Sequence, residues 1–216
     1  MKIILQNIGK RYNAEWIFRN INYEFSSENS YVILGANGSG KSTLLQVVAG
    51  NFLPSEGNIQ YFTRSETNTE VKIEPEMVFR SLTIASPYLE LPEEFTLAEA
   101  IEFHSKFKPM KFDTHHIIEL SGLEESRHKS LKYFSSGMKQ RVRLSLAILS
   151  DTPLLLLDEP ASNLDRKGID WYQELMNNNT KNKLVIICSN QQQHEYSFCN
   201  KELSVEDFKP VEKILK

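Results

Sequence analysis

The chain has 216 residues, with 25 Lys and Arg against 28 Asp and Glu, and two cysteines. That length can bury a real core, and 40% hydrophobic with 25% charged residues excludes a disordered chain. A net charge of −3 gives no electrostatic footprint for DNA or RNA, so no nucleic-acid partner is expected. Cys188 and Cys199 cannot build a disulfide framework or a zinc site, and they read as buried thiols in a reducing cytoplasm. No apolar run approaches the roughly 18 residues that span a bilayer. Ile3, Ile4 and Leu5 after Lys2 are too few for the apolar region of a signal peptide.

In chain order, strands are expected near residues 2–7, 21–25, 31–34, 57–62, 82–85, 154–158 and 183–189. Ile21, Tyr23 and Phe25 alternate as in a half-exposed antiparallel strand. Residues 31–34, 154–157 and 184–187 are continuous apolar runs, the pattern of strands buried on both faces of a parallel sheet. A helix is expected from Lys41 to about Ala49, stopping at Gly50. Another begins near Thr96, where Thr96-Leu97-Ala98-Glu99 has capping-box spacing. A third covers about 137–149, with Met138, Val142, Leu146 and Leu149 on one face. The whole reads as an α/β core with a small antiparallel element near its N-terminus, interrupted over about 87–149 by a helical insertion. Phe103, Phe107 and Met110 are expected in the core of that insertion. His115 and His116 are adjacent, point to different faces of a helix, and read as solvated or partly buried rather than as metal ligands.

Gly35-Ala36-Asn37-Gly38-Ser39-Gly40-Lys41-Ser42, followed by Thr43, fits the phosphate-loop (Walker A) pattern without a gap. Glycines let the backbone bend so that successive N–H groups face phosphate oxygens. The start of the following helix adds positive potential. Lys41 has the length to reach the β- and γ-phosphates, and the Ser42 hydroxyl can take a place at Mg²⁺. An apolar strand before the motif and a helix after it complete the required context. Leu154-Leu155-Leu156-Leu157-Asp158-Glu159 is a buried strand ending in two carboxylates (Walker B). Beside a phosphate loop, Asp158 suits Mg²⁺ and Glu159 suits a general base acting on water.

With Phe134-Ser135-Ser136-Gly137-Met138, Lys139-Gln140-Arg141-Val142 and Ala161-Ser162-Asn163-Leu164-Asp165 added, the chain resembles the nucleotide-binding subunits of ABC (ATP-binding cassette) transporters. The first segment resembles the signature loop and the last the D-loop, in family order. The resemblance implies a single P-loop NTPase domain over 1–216. Its RecA-like core and antiparallel β element would occupy about 1–86 and 150–216, and its helical subdomain about 87–149. It implies ATP and Mg²⁺ as ligands, Tyr12 as the aromatic stacked on adenine, and Ser135, Ser136 and Gly137 as contacts to a second chain's ATP. Asp165 would couple the two sites. It also implies a second ATP-binding subunit, identical or related, and a separate integral membrane permease met near residues 88–92. The chain would then sit in the cytoplasm, peripheral on the inner face of the membrane. Two departures stand out: Ser86 is the nearest counterpart of the family's Q-loop glutamine, and Asn190 stands where the switch histidine belongs. Asn190 can donate a hydrogen bond to a γ-phosphate but carries no charge, so ATP binding with slow turnover is expected. A soluble ABC ATPase and a slow-hydrolysing, nucleotide-gated interaction protein are the alternative functions.

Overall fold

The computed structural model describes residues 1–64 and 69–210. Its N-terminal part is antiparallel. Strands β1 (Lys2–Tyr12) and β2 (Glu15–Ser26) form a hairpin turning at Asn13, which adopts a left-handed φ of 54°. Both strands run longer than the stretches 2–7 and 21–25. Register shifts after Leu5 and Ile8 break the period of two that a strand reading relies on, and Asn7 and Asn20 supply left-handed residues along the pair. Strand β3 (Ser30–Leu34) leaves this layer for the parallel sheet and feeds helix α1 (Lys41–Val48). Strand β4 (Glu56–Arg64) pairs with the other edge of β1, and β5 (Glu70–Ile73) extends it, giving the order β2-β1-β4-β5. With only Ile73 half-buried, β5 shows no apolar pattern by which the sequence could announce it.

The second sheet is parallel throughout. Strands β6 (Leu82–Ala85), β7 (Leu154–Asp158), β8 (Leu184–Ser189) and β9 (Lys201–Ser204) join β3 in the order β6-β7-β8-β3-β9. Strands β7 and β8 are buried along their whole length because successive residues feed two different cores. Leu154, Leu156, Leu184 and Ile186 pack with α1 and the antiparallel sheet. Leu155, Leu157, Val185 and Ile187 pack toward helices α2 (Leu97–Ser105), α3 (Thr114–Ser121), α4 (Ser136–Ile148) and α5 (Arg166–Asn179). Each such Leu or Ile contributes about 1.5–3 kcal/mol of burial, which is why the uninterrupted apolar runs were readable as strands. A four-residue helix, α6 (Gln193–Tyr196), leads into β9. Strand β9 escaped sequence reading because it is a sheet edge with Leu203 as its one fully apolar buried residue. No helix among the described residues is long and apolar enough to cross a membrane.

The helical stretch between β6 and β7 corrects one expectation. The Thr96 capping box is present, with the Thr96 N–H donating to Glu99 Oε2 at 2.8 Å and the Glu99 N–H to Thr96 Oγ1 at 3.3 Å. It sets the phase of α2 so that Leu97, Ala100 and Ile101 face inward. Phe103 and Phe107 therefore lie outside the core, both exposed, stacking edge-on with each other at 5.1 Å and, through Phe103, with Phe95 at 5.3 Å. His104 takes the inward place one turn after Ile101, with Nε2 3.0 Å from Ser150 Oγ, and Met110 is half-buried beside Ser150. His115 and His116 are exposed and both turn to Glu119, at 3.3 and 3.2 Å. No group of three or more His, Cys, Asp or Glu side chains is gathered to hold a metal ion among the described residues. Both thiols are free, Cys188 buried and Cys199 partly so.

Burial, aided by nearby Lys108, pulls the His104 imidazole down to about 4 from an ordinary 6.5. The unfolded chain thus takes up a proton at a higher pH than the folded chain does. This residue's share of stability is whole above about pH 6.5 and is lost progressively as pH falls toward 4. His104→Gln should flatten that fall relative to the parent in urea melts at pH 7.5, 6.0 and 5.0. Parallel losses in the two proteins would contradict the burial argument.

Candidate nucleotide site

Strand β8 lies between β3 and β7, and the register pairs Leu34 with Ser189 and Asp158 with Cys188. The loops after all three strands consequently leave the sheet at one edge, at their carboxyl ends, where ligands of open parallel sheets collect. The loop after β3 is the glycine-rich motif. Gly38 and Gly40 have φ of 77° and 107°, conformations closed to most side chains. A Cβ on Gly40 would also stand 2.4 Å from Ile17 Cγ2. Lys41, 5% exposed, folds back over the loop, its Nζ donating to the carbonyls of Gly35 at 2.9 Å and Ala36 at 3.1 Å. The Ser39 hydroxyl is buried with no hydrogen-bond partner. An unsatisfied buried donor beside a lysine and a helix start suits an anionic ligand.

Ser42 Oγ donates to Asp158 Oδ1 at 3.1 Å, and Ser86 Oγ lies 3.5 Å from the other carboxylate oxygen. Ser42, Asp158 and Ser86 thus converge, two hydroxyls and a carboxylate, a donor set suited to a hard divalent cation. Burial pushes the Asp158 carboxyl upward and the adjoining Glu159 adds to this, while the Ser42 hydroxyl and the Lys41 charge oppose it. A cleft of about 300 Å³ runs along this edge, lined by Asn37, Gly38, Ser42, Thr43 and Glu159, and also by Ile17 and Tyr88. Glu159 faces it from a left-handed turn of φ 45°, a conformation costing a non-glycine residue about 1–3 kcal/mol, with its N–H tied to the Cys188 carbonyl at 2.9 Å.

Two expected residues are not gathered here. Tyr12 does not line the cleft; its half-exposed ring is covered by Lys10 Nζ at 5.3 Å. Asn190 is exposed just beyond β8 and is not a lining residue either. Three others were not anticipated. Ile17 supports Gly40, Glu206 accepts from the Ala36 N–H at 3.0 Å, and Glu195 is buried behind the acidic strand end. Glu195 directly follows the polar run Gln191–His194, which reads as a loop end, so only its depth in the fold singles it out.

The signature segment forms a second surface. Ser135 caps α4, its hydroxyl accepting from the Met138 N–H at 3.2 Å, and Ser136 and Gly137 open that helix. Gly137 lies against the D-loop so closely that a Cβ would meet the Asn163 carbonyl at 2.9 Å. Ser135, Ser136, Gly137, Asn163 and Asp165 border a cleft of about 420 Å³. Asp165 caps α5, its Oδ1 accepting from the Gly168 N–H at 2.7 Å. The two clefts share no residue.

Residues 18–162 match the family model described as ABC transporter. The chain is 28% identical over 198 residues to the ABC transporter ATP-binding protein YybJ of Bacillus subtilis, covering 90% of this chain and 88% of that one. Its fold matches that of an ABC transporter ATP-binding protein from Pyrococcus furiosus, with a TM-score of 0.79 and 19% identity over 97% of this chain and 100% of the other. It also matches a bacterial ABC transporter cassette solved as a dimer, with a TM-score of 0.76 and 20% identity over 94% of each chain. An α/β cassette with a phosphate loop and an acidic strand end at one sheet edge, matched by the family model over most of its length, belongs to the ABC transporter family and is an ATP-binding, ATP-hydrolysing member of it.

Proposed function

We propose that this chain is the motor subunit of a transporter. It pairs head to tail with a second cassette around two MgATP, and the pair's closing and opening drives a separate integral membrane permease. The observation that carries this reading is the presence in one chain of two clefts with no residue in common, one on the phosphate loop and one at the N-terminus of α4. The signature surface has no phosphate of its own to bind, and a second chain's ATP supplies one. That a cassette of the same fold was solved as a dimer is consistent with pairing.

In this reading Gly35, Ala36, Asn37, Gly38, Ser39, Gly40 and Thr43 cradle the phosphates with backbone N–H groups and hydroxyls, and Lys41 leaves its loop carbonyls to pair with phosphate oxygens. Ser42 and Asp158, with Ser86, hold Mg²⁺, which when bound neutralises phosphate charge. Tyr12, outside the cleft and under Lys10 in this structure, offers its ring to adenine once Lys10 swings aside, a contact that discriminates bases weakly. Ser135, Ser136 and Gly137 bind the γ-phosphate of the partner's ATP, and Asp165 couples the two sites through its helix cap. Glu159 takes a proton from water as the water oxygen bonds to the γ-phosphorus and the β–γ bridge breaks. Residues 1–86 and 150–216 act as the nucleotide-holding body and 87–149 as the arm carrying the signature loop. Tyr88, 82% exposed, and the exposed Leu89 adjoin Ser86 and form part of the permease contact, which holds the chain on the cytoplasmic face of the membrane. Asn190 in place of a histidine keeps turnover low, which also suits a nucleotide-gated interaction protein.

Two measurements test this. Asn190→His should raise the ATPase rate by about 100-fold, the low end of an acid–base contribution; an unchanged rate would remove Asn190 as the limiting group. Crosslinking the tagged chain in its native cells should recover a polytopic membrane protein. Recovery only with ribosomes or DNA in the soluble fraction would favour a soluble ABC ATPase instead.

A further inference from the structure

The turn that carries Glu159 is held from behind by two side chains outside the nucleotide cleft. Gln140, fully buried on α4, donates from Nε2 to the Pro160 carbonyl at 2.9 Å. Glu195, 1% exposed on α6, accepts from the Ala161 N–H at 3.0 Å through Oε1. Its other oxygen accepts from Ser189 Oγ, and that hydroxyl oxygen accepts in turn from the Gln192 N–H at 3.3 Å. Tyr172 Oη, from α5, donates to the Glu195 carbonyl at 2.8 Å and pins the short helix. Together with Glu159 N–H to Cys188 and Ser162 N–H to the Glu159 carbonyl at 3.1 Å, the backbone groups from Glu159 to Ala161 are all engaged.

We propose that Glu195 and Gln140 are positioning residues for Glu159, locking its left-handed turn so that the carboxylate faces the cleft; this rests on the assignment of Glu159 as general base. The connections are mechanically specific. Gln140 lies one turn beyond the signature loop on the same helix, so a shift of α4 is delivered to Pro160. Glu195 joins Ser189, the residue before Asn190, to Ala161, so the loop after β8 and the turn after β7 move together. A strained φ at Glu159 persists only while its surroundings over-determine it, and these two contacts are the side-chain part of that restraint. Displacement of a catalytic group by about 1 Å is enough to cost on the order of 100-fold in rate.

The test is ATP hydrolysis by the full chain under single-turnover conditions, with KM and folded fraction measured alongside. Glu195→Ala should lower the rate by about 10- to 100-fold with KM for MgATP within about twofold of the parent. Glu195→Gln, which keeps an acceptor for Ala161 and a partner for Ser189, should recover most of it. In a Glu159→Gln background, Glu195→Ala should add no further loss, because a group that acts through Glu159 has nothing left to orient. A rate per folded molecule that is unchanged, or a loss that multiplies with that of Glu159→Gln, would overturn the inference. If Glu195→Ala does not fold, Gln140→Ala faces the same two criteria and decides it. Full turnover by Glu159→Gln alone would instead overturn the general-base assignment.

Discussion

Parallel pairing of β8 between β3 and β7 is the constraint on which the site depends. Three short strands, each buried on both faces, have no solvent-facing side to tolerate a slip, and a shift of one residue would exchange the sets that feed the two cores. With Leu34 opposite Ser189 and Asp158 opposite Cys188, the glycine loop, the acidic turn and the loop after β8 are fixed within hydrogen-bonding reach of one another. Ser42 touching Asp158, Glu159 N–H reaching Cys188 and Cys188 Sγ reaching the Lys41 carbonyl at 3.4 Å are consequences of that register. The polar chemistry is local, but the apolar strands behind it set the geometry.

Much of this was legible because some residues carry their geometry with them. Glycines at left-handed positions, a lysine at the first helical residue and a leucine run ending in two acids each have few ways to fold. Thr96 and Glu99 likewise specify their helix start without outside help. Other features were hidden for physical reasons. Strands β5 and β9 are sheet edges with little to bury, so they lack the apolar signal. The β1–β2 hairpin carries asparagine-supported irregularities that scramble its alternation. Phe103 and Phe107 read as core because of their size, yet the phase of α2, set by Leu97, Ala100 and Ile101, turns them outward. Glu195 shows the hardest case, a carboxylate whose depth comes entirely from tertiary contacts with β8 and the acidic turn.

The energetic character of the site is one of deliberate tension. Burial pushes the Asp158 and Glu195 carboxyls upward, and each is close enough to Glu159 to feel its charge. Ser39 keeps a buried hydroxyl unsatisfied, and Glu159 sits in an uncommon backbone conformation. A cation at Asp158 would relieve that carboxyl and a phosphate would give the Ser39 hydroxyl a partner, so nucleotide is expected to order this edge as well as occupy it. In the proposed reading, Asn190 in place of a histidine removes a chargeable group from the chemical step, and Ser86 in place of a glutamine leaves a shorter side chain beside Asp158. In that reading binding is set by Gly35–Ser42 and hydrolysis by the turn at Glu159 and the loop at Asn190, so the two are expected to be separable.

In the proposed pairing, ATP held by one chain's phosphate loop is completed by another chain's signature loop. A photo-crosslinking amino acid placed at Ser135 tests it most directly, in native cells, with Glu159→Gln present to retain ATP and the captured peptide identified by mass spectrometry. Ser135 should capture a phosphate-loop peptide of a second cassette, a copy of this chain or a relative, and capture should disappear when Lys41→Ala removes nucleotide binding. Crosslinks to any other surface, or capture that survives the loss of Lys41, would contradict it.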